Sequence, residues 1–277
     1  MPSHSSPEHP SQHAKQRHRP QRLGITSASA QNHKGGVGKT TTAANVGVAL
    51  AVRGLRVLVV DADPQFALTR QLGLQDCALG VNLVDALAGR AGADAAIVAS
   101  RHGVDAIGGS RGLAGVEMSL VAEFGRERFL REALEPVLDR YDHVVIDTPP
   151  NLGLLTVNAL VCADQVLAPV SVEDEASLHG ILELQQTIRK LAERVGVTEP
   201  HLRAVVTRWQ RHRIASRETQ AALTAAQLAP VARIPNRSAL IARAATRRVP
   251  LSLSDPDSSP AIAYGDLAEA LLVVSAR

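Results

Sequence analysis

Aromatic residues are nearly missing from this 277-residue chain: Phe66, Phe124, Phe129, Tyr141, Tyr264 and Trp209 make up 2% of it. Recognition that rests on several stacked rings, as in single-strand nucleic-acid platforms, is therefore not expected. Cysteine occurs twice, at Cys77 and Cys162, and neither belongs to a CxxC pair. That excludes a disulfide framework, argues against a thiolate zinc or cluster site within one chain, and points to a reducing, cytosolic setting. No apolar run reaches the roughly 18 residues of a membrane span, and the polar N-terminus lacks the apolar core of a secretory signal. Lysine is also scarce, at Lys15, Lys34, Lys39 and Lys190.

Against these absences, hydrophobic residues reach 45%, enough for a core of Ala, Val, Leu and Ile. The net charge of +3 hides an uneven distribution. Ten arginines lie between Arg203 and Arg248 against Glu218 alone, and Lys15, Arg17, Arg19 and Arg22 stand against Glu8 near the start. The remainder is acidic. An arginine-rich stretch of this kind draws polyanions such as DNA, unless it is only a solvated surface. Residues 1–21, rich in Ser, His, Pro and Gln, are expected to form a disordered basic tail, with residues 22–277 as one domain. The tail histidines His4, His9, His13 and His18 read as solvated rather than as metal ligands.

Strand and helix patterns alternate along that domain. Strands are expected at Leu23–Ala30, Arg56–Val60, His143–Ile146, Gln165–Pro169, Leu202–Thr207 and Val231–Ile234. Helices are expected from Lys39 to Arg53, Glu127 to Leu138, Ala176 to Arg194 and Tyr264 to Leu272, with a helix end and a short strand in Ala96–Ile107. This order predicts an α/β fold with a mostly parallel sheet covered by helices on both faces.

The chemistry starts between the first strand and the first helix. Gln31–Thr41 reads Q-N-H-K-G-G-V-G-K-T-T, a glycine loop with His33 where the usual pattern has its first glycine. In Gly35, Gly36, Val37, Gly38, Lys39, Thr40 and Thr41, backbone N–H groups turn inward to cradle phosphates at a helix N-terminus. Lys39 reaches the β- and γ-phosphates, and the Thr40 hydroxyl suits Mg²⁺. Lys34 sits close enough in sequence to Lys39 to repel it, a cost that a nucleotide from the same or a facing subunit offsets. Asp61 and Asp63 end the second strand in V-V-D-A-D-P-Q, and Asp147 ends another in V-V-I-D-T-P-P. A lone aspartate there is as readily a helix cap; three beside a phosphate loop point to a metal site and to a group that orients the attacking water.

These residues resemble the ParA/MinD group of deviant Walker A P-loop ATPases, and within it the short Soj-like partition proteins. The likeness runs over residues 23–272. It rests on K-G-G-V-G-K-T-T at 34–41 followed by Asn45, and on D-A-D-P-Q at 61–65. R-G-L-A-G-V-E at 111–117, D-T-P-P at 147–150 and I-P at 234–235 support it.

The resemblance implies an ATP- and Mg²⁺-dependent ATPase that forms a homodimer on ATP. Lys34 is then the signature lysine crossing to the partner's phosphates, Asp63 the carboxylate acting on the lytic water, and Asp61 and Asp147 the magnesium-side acids. Thr207, Arg208, Pro235 and the Ile234–Arg237 segment frame the adenine. Arg208, Arg211, Arg213, Arg237, Arg243, Arg247 and Arg248 are candidates to hold non-specific double-stranded DNA. A ParB-like centromere-binding partner triggers hydrolysis, and the protein is cytoplasmic, nucleoid-associated and not stably bound to membrane.

Phe66-Ala67 departs from the family's small polar residues after D-P-Q, and residues 1–21 offer no counterpart to the winged-helix extension of larger plasmid relatives. Four other readings stand beside partition. They are a positioner of protein cargo, a MinD-like cell-division ATPase, a P-loop synthetase that activates a small acid, and an iron–sulfur carrier. The apolar end of the chain and the unpaired cysteines speak against the cell-division and iron–sulfur readings.

Overall fold

The computed structural model describes residues 21–26, 37–74 and 80–274. The first strand, β1 (Gln21–Ile25), leads through the phosphate loop to α1 (Lys39–Val52) and β2 (Val57–Asp61). Then come α2 (Ala67–Gln71), α3 (Leu83–Leu87), a 3-10 turn at Ala93–Ala96, β3 (Ile97–Ala99) and β4 (Asp105–Ile107). The middle of the chain holds α4 (Gly112–Leu120), α5 (Phe129–Leu134), a 3-10 turn at Glu135–Arg140, β5 (His143–Asp147), α6 (Leu154–Cys162) and β6 (Gln165–Ser171). The last part runs α7 (Glu175–Val195), β7 (His201–Trp209), α8 (Ile214–Ala225), β8 (Ala232–Pro235), α9 (Ser238–Arg247), α10 (Leu251–Ser254) and α11 (Ser259–Val274).

The eight strands form one sheet in the order β3-β4-β2-β5-β1-β6-β7-β8. Every neighbouring pair is parallel except β3 with β4 at the edge. Parallel strands need crossover helices, which cover both faces and make the inner strands apolar throughout. Alternation splits each strand between two cores. Val57, Val59, Val145, Leu167 and Val205 face α1 and α11, together with Leu50 and Leu267. Leu58, Val60, Val144 and Ile146 face the opposite layer with Leu113, Leu130 and Leu155. Val166, Ala168 and Val170 extend that layer against Ile181 and Leu184 of α7.

Several sequence expectations shift. The first strand begins at Gln21 rather than Leu23, and 27–30 lie outside the described residues. Arg22, counted with the tail by its charge, is instead buried in β1, where Nη2 donates to Asp164 Oδ1 at 2.6 Å. The helix expected at Glu127–Leu138 stops as an α-helix at Leu134 and tightens into a 3-10 turn. Pro136 is the cause: it has no N–H to give and its ring crowds the carbonyl one turn back. Ala96 closes a 3-10 turn, the expected helix end, but Ile97–Ile107 holds two short antiparallel strands, β3 and β4, rather than one; β6 and β7 each run two residues past their expected ends, to Ser171 and Trp209. Cys162 is buried and free, as its apolar surroundings imply.

Candidate active site

The phosphate loop sits at the C-terminal end of the central strands, where a parallel sheet directs its chemistry. Lys34, Gly35 and Gly36 lie outside the described residues. From Val37 onward the geometry is set. Gly38 precedes α1 at φ 97°, a left-handed value that a Cβ would strain. Lys39, Thr40 and Thr41 form the first turn of α1, so their N–H groups have no intrahelical acceptors. The Val37 carbonyl accepts a 2.9 Å hydrogen bond from Thr207 Oγ1. Asn45 braces the same helix: its Nδ2 donates to the Thr41 carbonyl at 2.8 Å, and its Oδ1 accepts the Leu251 amide at 2.8 Å.

Sheet register brings the carboxylates together. Asp61 ends β2 directly beside Asp147 at the end of β5. Both are buried, and Asp63 nearly so. Their environments differ. Asp61 Oδ2 accepts from the Thr69 amide at 2.8 Å and its hydroxyl at 2.6 Å, while Oδ1 accepts the Asp63 amide at 3.2 Å. Burial pushes the Asp61 carboxyl up to about 6, against the pull of these donors. Asp63 Oδ1 accepts the Gln65 amide at 2.8 Å; burial raises its carboxyl, and Lys39 and Arg70 draw it back.

Asp147 is raised well above the usual carboxylate range, by burial first and then by the Asp61 charge; the Thr40 hydroxyl and Lys39 oppose the rise. The Thr40 interaction falls short of full hydrogen-bond geometry, and both Asp147 oxygens are buried without a partner. Two orphaned carboxylate oxygens beside a threonine hydroxyl fit a hydrated divalent cation. Burial lowers the Lys39 ammonium, while Asp147 and Asp63 hold it up. Of the two aspartates expected on the metal side, Asp147 has open oxygens, whereas those of Asp61 are committed, Oδ2 to Thr69 of α2 and Oδ1 to the Asp63 amide.

A cavity of about 300 Å³ opens beside the loop, lined by Val37, Gly38, Thr41, Thr207, Ile234 and Pro235 among others. Thr207, Arg208 and Pro235, expected around a base, therefore share one cavity with the loop. Arg208 lies on its wall at φ 56° and donates from Nη1 to Glu173 Oε2 at 2.7 Å.

The candidate DNA arginines divide. Arg208 and Arg213 both pair with Glu173, and Arg243 pairs with Asp255 at 2.9 Å. Arg211, Arg237, Arg247 and Arg248 are exposed and have no carboxylate partner among the described residues. A second, more open recess of about 590 Å³ is lined by Trp209, Arg211, His212, Arg213 and Arg237 with their neighbours.

Three residues of the site were not singled out from the sequence. Thr69 holds Asp61 and accepts the Gly109 amide at 3.0 Å. A Cβ on Gly109 would lie 2.6 Å from the Asp61 carbonyl oxygen. Glu173 gathers Arg208, Arg213 and Asn236. The glycine pair Gly108-Gly109 after a short strand was the one readable signal among them.

The AAA domain family model matches residues 26–203. An uncharacterized protein of Mycobacterium tuberculosis is 42% identical over 192 residues, covering 69% of this chain and 60% of that protein. The sporulation initiation inhibitor protein Soj of Bacillus subtilis is 45% identical over 159 residues, 57% of this chain and 62% of Soj. The chain thus spans about three fifths of the length of these curated relatives. The solved structure of cobyrinic acid a,c-diamide synthase from Mycobacterium smegmatis, with bound ADP and magnesium, superposes with a TM-score of 0.78 at 32% identity. That superposition covers 93% of this chain and 97% of the other. With its phosphate loop, paired strand-end aspartates and parallel sheet, the chain belongs to the ParA/MinD superfamily of deviant Walker A P-loop ATPases.

Proposed function

We propose that this chain is a partition ATPase of the ParA type. It binds ATP with Mg²⁺, dimerises, loads on DNA without sequence preference, and is triggered to hydrolyse by a ParB-like partner. The observation that carries the nucleotide half is the Asp61–Asp147 pair beside Lys39, with two open carboxylate oxygens on Asp147. Lys39 meets the β- and γ-phosphates from the first turn of α1. Thr40 and Asp147 hold the magnesium with its waters, and the ion supplies charge neutralisation on the phosphate oxygens. Asp63 orients the water that attacks the γ-phosphorus. The base lies in the cavity between Thr207 and Pro235. Lys34 reaches the phosphates of the facing subunit, which makes ATP part of the dimer contact.

Four exposed arginines without carboxylate partners among the described residues, Arg211, Arg237, Arg247 and Arg248, support the DNA half. Contacts of this kind need charge rather than a base-reading helix. The same arginines make the nucleoid the proposed site of action. The experiment is affinity for a random-sequence duplex with ATP·Mg²⁺, with ADP·Mg²⁺ and without nucleotide, across a salt series. Tight, salt-sensitive binding with ATP alone is expected. No binding in any state removes DNA from the function.

A second reading has one observation behind it. The cobyrinic acid a,c-diamide synthase structure matches nearly its whole length, and an arginine-lined recess also suits an anionic small substrate. Duplex affinity separates this synthetase reading from partition.

A further inference from the structure

The turn that carries Asp63 into α2 is strained. The chain folds back after D-P-Q, and the Phe66 amide donates to the Asp63 carbonyl at 2.8 Å. Phe66 then stands at φ 42° and ψ 42°, a left-handed conformation that suits glycine and costs energy in a bulky residue. Strain held this close to a reacting centre points to a task for the side chain that bears it. The family resemblance expects a small residue at this place, and this chain has one of its few rings there instead.

What the ring holds is Arg70. The two residues lie four apart, with the Arg70 amide donating to the Phe66 carbonyl at 3.2 Å, so their side chains meet on one face. The guanidinium carbon sits 4.7 Å from the centre of the Phe66 ring. An aromatic face fixes the direction of a guanidinium without cancelling its charge. Arg70 has no carboxylate at ion-pair distance among the described residues, whereas Arg208, Arg213 and Arg243 each have one. Its charge is felt at Asp63: burial raises that carboxyl, and the Gln65 amide, Lys39 and Arg70 draw it back.

The demand on that charge changes when nucleotide enters. Asp63 Oδ1 accepts the Gln65 amide, while Oδ2 takes no hydrogen bond among the described residues and is open to a water. In the empty site Lys39 and Arg70 both attract the carboxylate. Once Lys39 meets the β- and γ-phosphates, they take up its charge, and their oxygens repel Asp63. Arg70, tied to the Phe66 ring, is the cation left to Asp63.

We propose that Arg70, seated on Phe66, is a positioning residue for hydrolysis: it holds the Asp63 carboxylate at the attacking water against repulsion from the γ-phosphate. Arg70 touches neither the nucleotide nor the water and acts through Asp63 alone. Phe66 serves by keeping the long arginine side chain in one place, and the strained turn puts the ring where it can do so. This rests on the reading that Asp63 orients the attacking water.

The test is steady-state phosphate release by the full chain with ATP·Mg²⁺, in wild type, Arg70→Gln, Arg70→Lys, Phe66→Leu and Asp63→Ala. Binding of a fluorescent ATP analogue and melting temperature are read in parallel. Arg70→Gln should lower kcat about tenfold or more, with KM and analogue affinity within about twofold of wild type. Arg70→Lys keeps the charge and should recover most of that loss. Phe66→Leu keeps the charge but removes the ring, and its kcat should fall between the two. Arg70 is exposed, so the melting temperature of its variants stays at the wild-type value. Arg70→Gln turning over at the wild-type rate overturns the proposal, and so does Arg70→Lys as slow as Arg70→Gln. A raised KM at unchanged kcat also overturns it, by placing Arg70 on the nucleotide. Asp63→Ala separates the two levels of the argument. Asp63→Ala as active as wild type sinks the water-orienting reading and the proposal with it; an inactive Asp63→Ala beside a fully active Arg70→Gln sinks the proposal alone.

Discussion

The Thr207 hydroxyl donates to the Val37 carbonyl at 2.9 Å, joining β7 to the phosphate loop across 170 positions of sequence. The bond is buried, so the carbonyl has no water to fall back on. Its loss frees the loop just ahead of the turn at Gly38. Thr207→Val keeps the shape and removes the donor, at a cost near 1–3 kcal/mol for the unpaired carbonyl. Binding of a fluorescent ATP analogue should weaken about tenfold. Unchanged affinity would mean the loop holds its form without this tie.

Asp63 stands apart from its two neighbours because the charges of Lys39 and Arg70 draw its carboxyl back against the rise that burial causes. Asp63→Ala should still bind ATP and DNA, with phosphate release down about 10²–10⁴-fold. Turnover at the wild-type rate would exclude it as the group that directs water.

Gly109→Ala tests how closely the β4–α4 connection approaches β2. The new methyl would meet the Asp61 carbonyl oxygen at 2.6 Å, a backbone atom with little room to retreat. Destabilisation of about 1–3 kcal/mol is expected in urea titrations, as for an overpacked core. A variant as stable as wild type would show that the connection can slide.

The aspartate pair makes opposite pH predictions for the empty and the loaded site. The Asp61 carboxyl, at about 6 in the fold, lies above its unfolded value of about 4. Without metal, the stability this shift contributes is fully present below about pH 4 and is lost as pH rises through about 6. Magnesium needs the charged Asp147 carboxylate, which burial and the Asp61 charge raise, so its support of ATP binding should weaken as pH falls. Isothermal titration of Mg²⁺ into the ATP complex at neutral and at mildly acidic pH checks the second limb. Equal affinities at both would place the metal away from these acids.

The arginines differ in what they can offer a polyanion. Arg243 must first leave Asp255, whereas Arg237 and Arg247 have no such tie. Charge reversal at Arg237 and Arg247 should weaken binding of every duplex alike and lower the salt slope by about 2. Arg243→Glu alone should do less. A larger effect from Arg243 would reverse that assignment.

Much of this was readable from the chain. Asp61 and Asp147 each close an unbroken apolar strand before a loop, and the β2–β5 register turns that sequence feature into a pair. Thr207 and Pro235 shared no local signal with the loop; the family likeness linked them, and the cavity holds both. What stayed hidden depends on partners distant in sequence. Arg22 looked like tail charge because Asp164 lies 142 positions away. Glu173 gave no hint that it would pair with two of the arginines. Pro136 was visible, yet the amphipathic pattern on both sides outweighed it until the 3-10 turn showed its effect.

The scarcity of aromatic residues has a practical side. Trp209 is the chain's one indole, and it lines the arginine recess with Arg233 stacked 5.6 Å from its ring centre. Its emission therefore reports from that single place, free of background from any other tryptophan. Arrival of an anion there can be followed in the unlabelled protein, and rapid mixing can time it against the nucleotide cycle.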